Sequence, residues 1–142
     1  LLVPQAVEQI LWWCRSGARL GLMSALRRAE VDLFLEVTGL GAVFEGVFTR
    51  DDVANGKPSP DIYAHAIATL CRGTDILHAM AVESSANGVV SARQAGVSRV
   101  IGVRCQFAKS DASDFAVLVN SFQHLTPGVM WAVSRNKGAF KR

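Results

Sequence analysis

Gly56-Lys57-Pro58-Ser59-Pro60-Asp61-Ile62-Tyr63 and, further on, Val82-Glu83-Ser84-Ser85-Ala86-Asn87-Gly88-Val89 are the two stretches on which the reading of this 142-residue chain turns. In the first, a glycine and two prolines interrupt regular structure. Ser59 as N-cap and Pro60 at the first helical position then open a helix. Tyr63, Ala66, Ile67 and Leu70 follow at helical spacing and give that helix one apolar face. In the second, the continuous apolar run 79–82 reads as a strand buried on both faces. Glu83-Ser84-Ser85 then leads into a helix ending at Gly96, which the two serines can cap.

The same alternation extends outward in both directions. Upstream, Val7, Ile10, Leu11 and Cys14 mark an amphipathic helix over residues 4–16, with Pro4 near its start and Gly17 as its stop. Trp12 and Trp13 diverge by ~100° on it, so one of them is expected to meet a partner surface or a neighbouring domain. Residues 19–23 form a short strand. Residues 25–38 form a helix with Leu26, Ala29, Leu33 and Val37 on its core side and Gly39 at its end, and residues 46–49 form a second strand. Residues 99–103 and 115–119 are two further strands. The expected architecture is α/β: a Rossmann-like parallel sheet with helices on both faces, occupying residues 1–128 as one core domain, followed by a basic tail at 129–142.

Composition narrows the function classes. With 50% hydrophobic and 19% charged residues the chain is globular, and no run approaches the ~18 apolar residues of a membrane-spanning helix. The net charge of +3 suggests a nucleic-acid surface until the charges are located. Arg135, Lys137, Lys141 and Arg142 lie in the last eight residues; of the 15 basic residues the other 11 stand against 12 acidic ones, a net charge of −1 before position 135. The body is not basic, which argues against nucleic acid as a partner. Cys14, Cys71 and Cys105 lack paired spacing and suggest neither a disulfide framework nor a zinc site; they read as small buried hydrophobes. That usage fits a reducing, cytoplasmic setting. The N-terminus has no initiator Met, basic n-region or small-residue cleavage site, so it does not read as a signal peptide, and the chain is expected to start elsewhere. His65, His78 and His124 stand singly, without ligand spacing.

In open α/β sheets, ligands bind beyond the carboxyl ends of the strands, where helix N-termini present free N–H groups. The polar residues at those positions are Ser24, Lys57, Glu83, Ser84 and Ser85. A hydroxyl, a lysine and a carboxylate on one rim suit a phosphate with a divalent cation. Local alternatives exist for each: Ser24, Ser84 and Ser85 as helix caps, Lys57 as a solvated turn residue, and Glu83 as a charge favouring a helix N-terminus.

At these residues the chain resembles the haloacid dehalogenase-like hydrolases, in their phosphoglucomutase-like and phosphoglycolate phosphatase-like branch. Four stretches carry the resemblance: 4–17 with the strand leading to Ser24; 44–52; Gly56 to Tyr63; and Val82 to Val89, continuing through Ala95-Gly96 to Val103. It spans residues 3–125. The resemblance implies a core that transfers phosphoryl groups with Mg2+ from a small phosphorylated metabolite. An aspartate at the end of the first strand is the nucleophile in such enzymes, and a second aspartate two residues later is the acid and base. It also implies that Ser24 hydrogen-bonds the phosphoryl oxygens, that Lys57 neutralises their charge, and that Glu83 and Ser84 stand where an acidic pair holds magnesium.

Two departures qualify this. No Asp-x-Asp motif follows a strand: Asp51-Asp52 and Asp111…Asp114 have the wrong spacing and context. Both the first central strand and the cap are therefore expected to be missing. Ser84 stands where the family has an aspartate, which removes a hard oxygen ligand and weakens the hold on Mg2+. In the family's sheet the first strand lies between the strand ending at Met23 and the one ending at Val82. These two are expected not to pair, the gap being filled by an upstream segment, by a second chain or homo-oligomer partner, or by a rearranged sheet. The expected function is a fragment or degenerate member of this family, catalytically incomplete as it stands. The alternative is a non-catalytic phosphate-binding or protein-assembly module.

Overall fold

A computed structural model describes residues 5–103 and 117–135. Its helices and strands alternate as α1 (Ala6–Arg15), β1 (Gly21–Met23), α2 (Arg28–Thr38), β2 (Gly46–Phe48), α3 (Asp61–Leu70), β3 (Met80–Glu83), α4 (Ala86–Gln94), β4 (Arg99–Val103), β5 (Val117–Val119) and α5 (Pro127–Arg135). All strand pairs are parallel, and they fall into two sheets, β1-β2 and β3-β4-β5. As expected, β1 and β3 are not paired with each other.

Side-chain alternation along the strands sorts the helices into two layers. Met23, Phe48, Ala81 and Val100 point to one face and pack with Ile62, Tyr63 and Ala66 of α3 and Val89 and Ala92 of α4. On the opposite face, Leu22 and Val47 meet Val31 and Leu35 of α2, with Val7, Ile10 and Leu11 of α1. Met80, Val82, Ile101 and Val103 meet Trp13 of α1 and Val133 of α5 on that same face. Two helices thus cross from one sheet to the other, α1 above and α3 below. Where α3 runs close under the first sheet, a Cβ on Gly21 would come within 2.6 Å of the Leu70 side chain.

The core differs from the sequence reading in three places. Leu26, Ala29, Leu33 and Val37 do not face inward; Val31 and Leu35 are the buried residues of α2, while Leu33 and Val37 are 61% and 77% exposed. The helix begins at Arg28 rather than 25, which leaves Leu26 outside it, and the stripe that meets Leu22 and Val47 is the one through Val31 and Leu35. Gly39, at φ 70, still ends it. Cys14 is exposed, not buried, and Cys71 is half-buried. Pro60, not Ser59, is the N-cap residue of α3. Ser59 instead donates its hydroxyl to Asp61 Oδ1 at 2.6 Å.

Trp12 and Trp13 divide as their angular separation requires: Trp13 packs on the second sheet's cluster, and Trp12 is exposed. At the C-terminal end, residues 127–135 form α5 and Val133 is in the core, so the boundary expected at 128 falls inside a helix. Lys137, Lys141, Arg142, Cys105 and residues 115 and 116 of the last expected strand lie outside the described residues. Among the described residues, no helix is long and apolar enough to cross a membrane.

Candidate active site

The site is built at the carboxyl ends of β1 and β3 and around the loop joining β2 to α3. That loop is pinned at both ends. Near its start, Asp52 Oδ2 accepts from Thr49 N at 2.6 Å, Thr49 Oγ1 at 2.8 Å and Arg28 Nη2 at 2.6 Å. The Thr49 amide, then its hydroxyl, and less strongly the Arg28 guanidinium hold the Asp52 carboxyl below its ordinary range. Arg28 also donates its backbone N–H to Asp51, so the loops after β1 and β2 are tied together. At the far end, Asp61 accepts from Asn55 and Ser59. The fully buried Ser91 of α4 donates to the Ser59 carbonyl at 2.6 Å.

Between these anchors Lys57 turns inward. Its Nζ donates to Glu83 Oε1 at 2.6 Å and to the carbonyl of Met23 at 3.3 Å. The side chains of this pair are only 11% and 8% exposed. An unpaired charge at such a site would carry a large desolvation cost, so the lysine and carboxylate hold each other in place. Tyr63 donates its hydroxyl to the same Glu83 oxygen at 2.5 Å. Strand alternation explains the meeting, since Glu83 shares the face of Ala81, which is covered by α3. On its other side the Glu83 carboxylate rests against Gly88, where a Cβ would come within 1.9 Å of Oε2.

Ser24 directly follows Met23, whose carbonyl accepts from Lys57. Its amide donates to the Phe48 carbonyl at 2.9 Å and its hydroxyl accepts from Leu26 N at 3.1 Å. Because α2 starts at Arg28, Ser24 is not that helix's cap. Ser85 does cap α4, accepting from Gly88 N, while Ser84 stands half-buried between β3 and that helix. The structure thus brings Lys57 and Glu83 into contact, with Ser24 and Ser84 next in sequence to Met23 and Glu83 at the carboxyl ends of β1 and β3.

Sequence reasoning did not single out Tyr63 or Gly88 as site residues. Tyr63 was absorbed by the apolar stripe of its helix; the signal that could have separated it is that it is the chain's single tyrosine. Nor did it find the cavity of about 340 Å3 lined by Arg27, Arg50, Asp51 and Val53, on loops that only the fold brings together.

Burial first, and then the adjacent Glu83 charge, push the Tyr63 hydroxyl well above its ordinary value of 10.0. Because Tyr63 is the sole tyrosine, its phenolate absorbance can be followed directly. The expected titration lies above pH 10.0 in the folded protein and returns there in denaturant. A raised folded-state value means that the associated stability is whole below the unfolded value and is lost as pH climbs through the folded one. Tyr63→Phe is expected to cost about 1.5–3 kcal/mol in a urea unfolding titration, the range for a hydrogen bond to a charged group.

The resemblance implies magnesium, and the donor set can be tested against it. A hard cation of this kind takes about six oxygen ligands in octahedral geometry. Here one Glu83 oxygen already receives two hydrogen-bond donors, one of them cationic, and Ser84 is neutral. Among the described residues, no group of three or more His, Cys, Asp or Glu side chains is placed to hold a metal ion. The described residues alone do not make a magnesium site.

Comparison with known proteins decides the family. The sequence profile of the haloacid dehalogenase-like hydrolases matches residues 1–96. The chain belongs to this family. Among curated relatives, protein CbbY of Rhodobacter capsulatus is 34% identical over 113 residues, covering 78% of this chain and 48% of that protein. The pyrophosphatase PpaX of Bacillus velezensis is 34% identical over 82 residues, covering 58% and 37% respectively. The crystal structure of CbbY from Rhodobacter sphaeroides in complex with phosphate superposes with a TM-score of 0.76 at 29% identity, over 87% of this chain and 56% of that one. The chain therefore spans about half the length of the CbbY relatives and less of PpaX. These matches place it in the phosphoglucomutase-like and phosphatase-like branch, with the α/β fold expected from its sequence.

Proposed function

We propose that these residues form the phosphoryl-binding side of a phosphatase or phosphomutase centre that acts on a small phosphorylated metabolite, and that the attacking carboxylate is supplied from outside the described residues. The observation that carries this reading is the Lys57 head, held between Glu83 and the carbonyl of Met23, the residue before Ser24. An ammonium has three N–H donors, and the two contacts leave one for a phosphoryl oxygen. The Ser24 hydroxyl can add a second donor. Preorganised donors aimed at developing charge are the main protein contribution to phosphoryl transfer. The carboxylates after β2 are already engaged, Asp52 by Thr49 and Arg28 and Asp51 by the Arg28 amide, so neither stands ready as nucleophile.

With magnesium present, the 142-residue chain alone is expected to leave p-nitrophenyl phosphate at its uncatalysed hydrolysis rate. Turnover that disappears in Lys57→Ala would overturn catalytic incompleteness. Inorganic phosphate, followed through tryptophan fluorescence, is expected to bind the wild-type chain about tenfold more tightly than Ser24→Ala, the worth of one hydrogen bond to a charged group. Equal binding by both would remove Ser24 from the site.

A further inference from the structure

The tripeptide Ala-Asn-Gly occurs twice in this chain, at Ala54-Asn55-Gly56 and at Ala86-Asn87-Gly88. Asparagine before glycine is able to modify itself: the glycine nitrogen attacks the asparagine amide carbon, and no Cβ on the glycine obstructs the approach. Both asparagines are exposed, so access to water does not separate the two sites. Their glycines do. Gly88 is buried in the first turn of α4, donates its N–H to Ser85 Oγ at 3.1 Å and has the Glu83 carboxylate packed against it. A bonded amide is a poor nucleophile, and an adjacent anion opposes the loss of its proton.

Gly56 lies in the loop between β2 and α3, and among the described residues its N–H donates to no acceptor. The Arg50 side chain folds over it. The guanidinium donates to the carbonyls of Val53 at 2.8 Å and Ala54 at 3.3 Å, and a Cβ on Gly56 would come within 3.0 Å of Arg50 Nε. A cation held there favours the deprotonated amide, which is the attacking form. What restrains Asn55 is a pair of hydrogen bonds to Asp61 Oδ2, from its N and its Nδ2, each at 3.1 Å. Both lie in solvent, where such bonds open readily.

We infer that Asn55-Gly56 is a self-modification site, at which Asn55 converts through a cyclic imide to aspartate or isoaspartate. Gly56 N gives its proton to hydroxide and bonds to Asn55 Cγ; the Cγ–Nδ2 bond breaks, and Nδ2 leaves as ammonia with a proton from water. Water then opens the imide. Cleavage between Cγ and the Gly56 nitrogen gives aspartate, and cleavage at the Asn55 main-chain carbonyl gives isoaspartate, in which the chain runs through Cγ. Nothing is oxidised or reduced: water enters and ammonia leaves. The product changes the loop that carries Lys57. Ser59, and then Asn55, hold the Asp61 carboxyl below its ordinary range by hydrogen bonding. After conversion a carboxylate replaces the Nδ2 donor, so Asp61 is repelled where it was held. The effect on phosphate binding rests on the phosphoryl-centre reading; the modification itself does not.

The test incubates the 142-residue chain at mildly alkaline pH and follows the peptides that contain the two asparagines by mass spectrometry. In the folded chain Asn55 is expected to convert about tenfold faster than Asn87, where a bonded amide must first be freed. In urea the two rates are expected to converge. Equal rates in the folded chain, or a faster one at Asn87, would overturn the inference, and a ratio that persists in urea would overturn the part assigned to the fold. Arg50→Gln is expected to slow conversion at Asn55 and leave Asn87 unchanged; an unchanged or faster rate at Asn55 would remove the guanidinium from the description. Asn55→Asp, which fixes one product, is expected to bind inorganic phosphate about threefold more weakly than the wild type. Equal binding would overturn that consequence, whereas no binding by either chain would count against the phosphoryl-centre reading alone.

Discussion

Lys57→Met is expected to destabilise the fold by about 3–5 kcal/mol, the cost of leaving one member of a buried ion pair uncompensated. Glu83 cannot move to solvent to recover the loss, because its carboxylate is only 8% exposed and sits between Tyr63 and Gly88. Neutralising both partners removes most of the penalty, so Lys57→Met with Glu83→Gln should recover much of the stability that the single change loses. Urea unfolding midpoints of the wild type, both single variants and the double variant give the coupling directly. Additive losses in the double variant would mean that the lysine and carboxylate are energetically independent despite their 2.6 Å separation.

Gly88→Ala is the second large effect, and its sign is opposite to what a helix surface would suggest. Alanine in place of glycine inside a helix ordinarily gains about 1 kcal/mol. At Gly88 the added methyl would overlap Glu83 Oε2, at 1.9 Å, and the carboxylate carbon, at 2.3 Å. Glu83 would have to leave its place, and Lys57 and Tyr63 would lose their shared acceptor. The expected net result is a loss of at least about 2 kcal/mol, since displacing the carboxylate forfeits a buried charge pair. The Tyr63 titration should fall back toward its ordinary value. Gly128→Ala is the control: it lies in α5, and the nearest atom to its added methyl is 3.8 Å away. It should be neutral or slightly stabilising by the same unfolding measurement.

The architecture could be read from the sequence because apolar runs at β3 and β4 are continuous and helix-breaking residues bound them. The strand over residues 99–103 was found to the residue for that reason. The inward face of α2 was misread because Leu26, Leu33 and Val37 and the residues Val31 and Leu35 make two overlapping stripes on one short helix. Only the tertiary partners, Leu22 and Val47 with the apolar residues of α1, select between them. The meeting of Lys57 with Glu83 could be expected because one stands in the loop after β2 and the other at the carboxyl end of β3. Tyr63 and Gly88 could not, because their roles arise from contacts with residues 20 and five positions away, which local patterns do not encode. The separation of β1 from β3 was anticipated only through family resemblance, since strand order is not written in periodicity.

The buried hydroxyl of Ser91 has a mechanical consequence. By holding the Ser59 carbonyl, it couples the loop that delivers Lys57 to the helix whose N-terminus lies behind Glu83. The loop that carries the cation is thus tethered to the helix that backs its carboxylate. A ligand that draws Lys57 forward must carry α4 with it or break that tether, so occupancy of the rim should be audible as a displacement of a helix whose outer surface never touches the ligand.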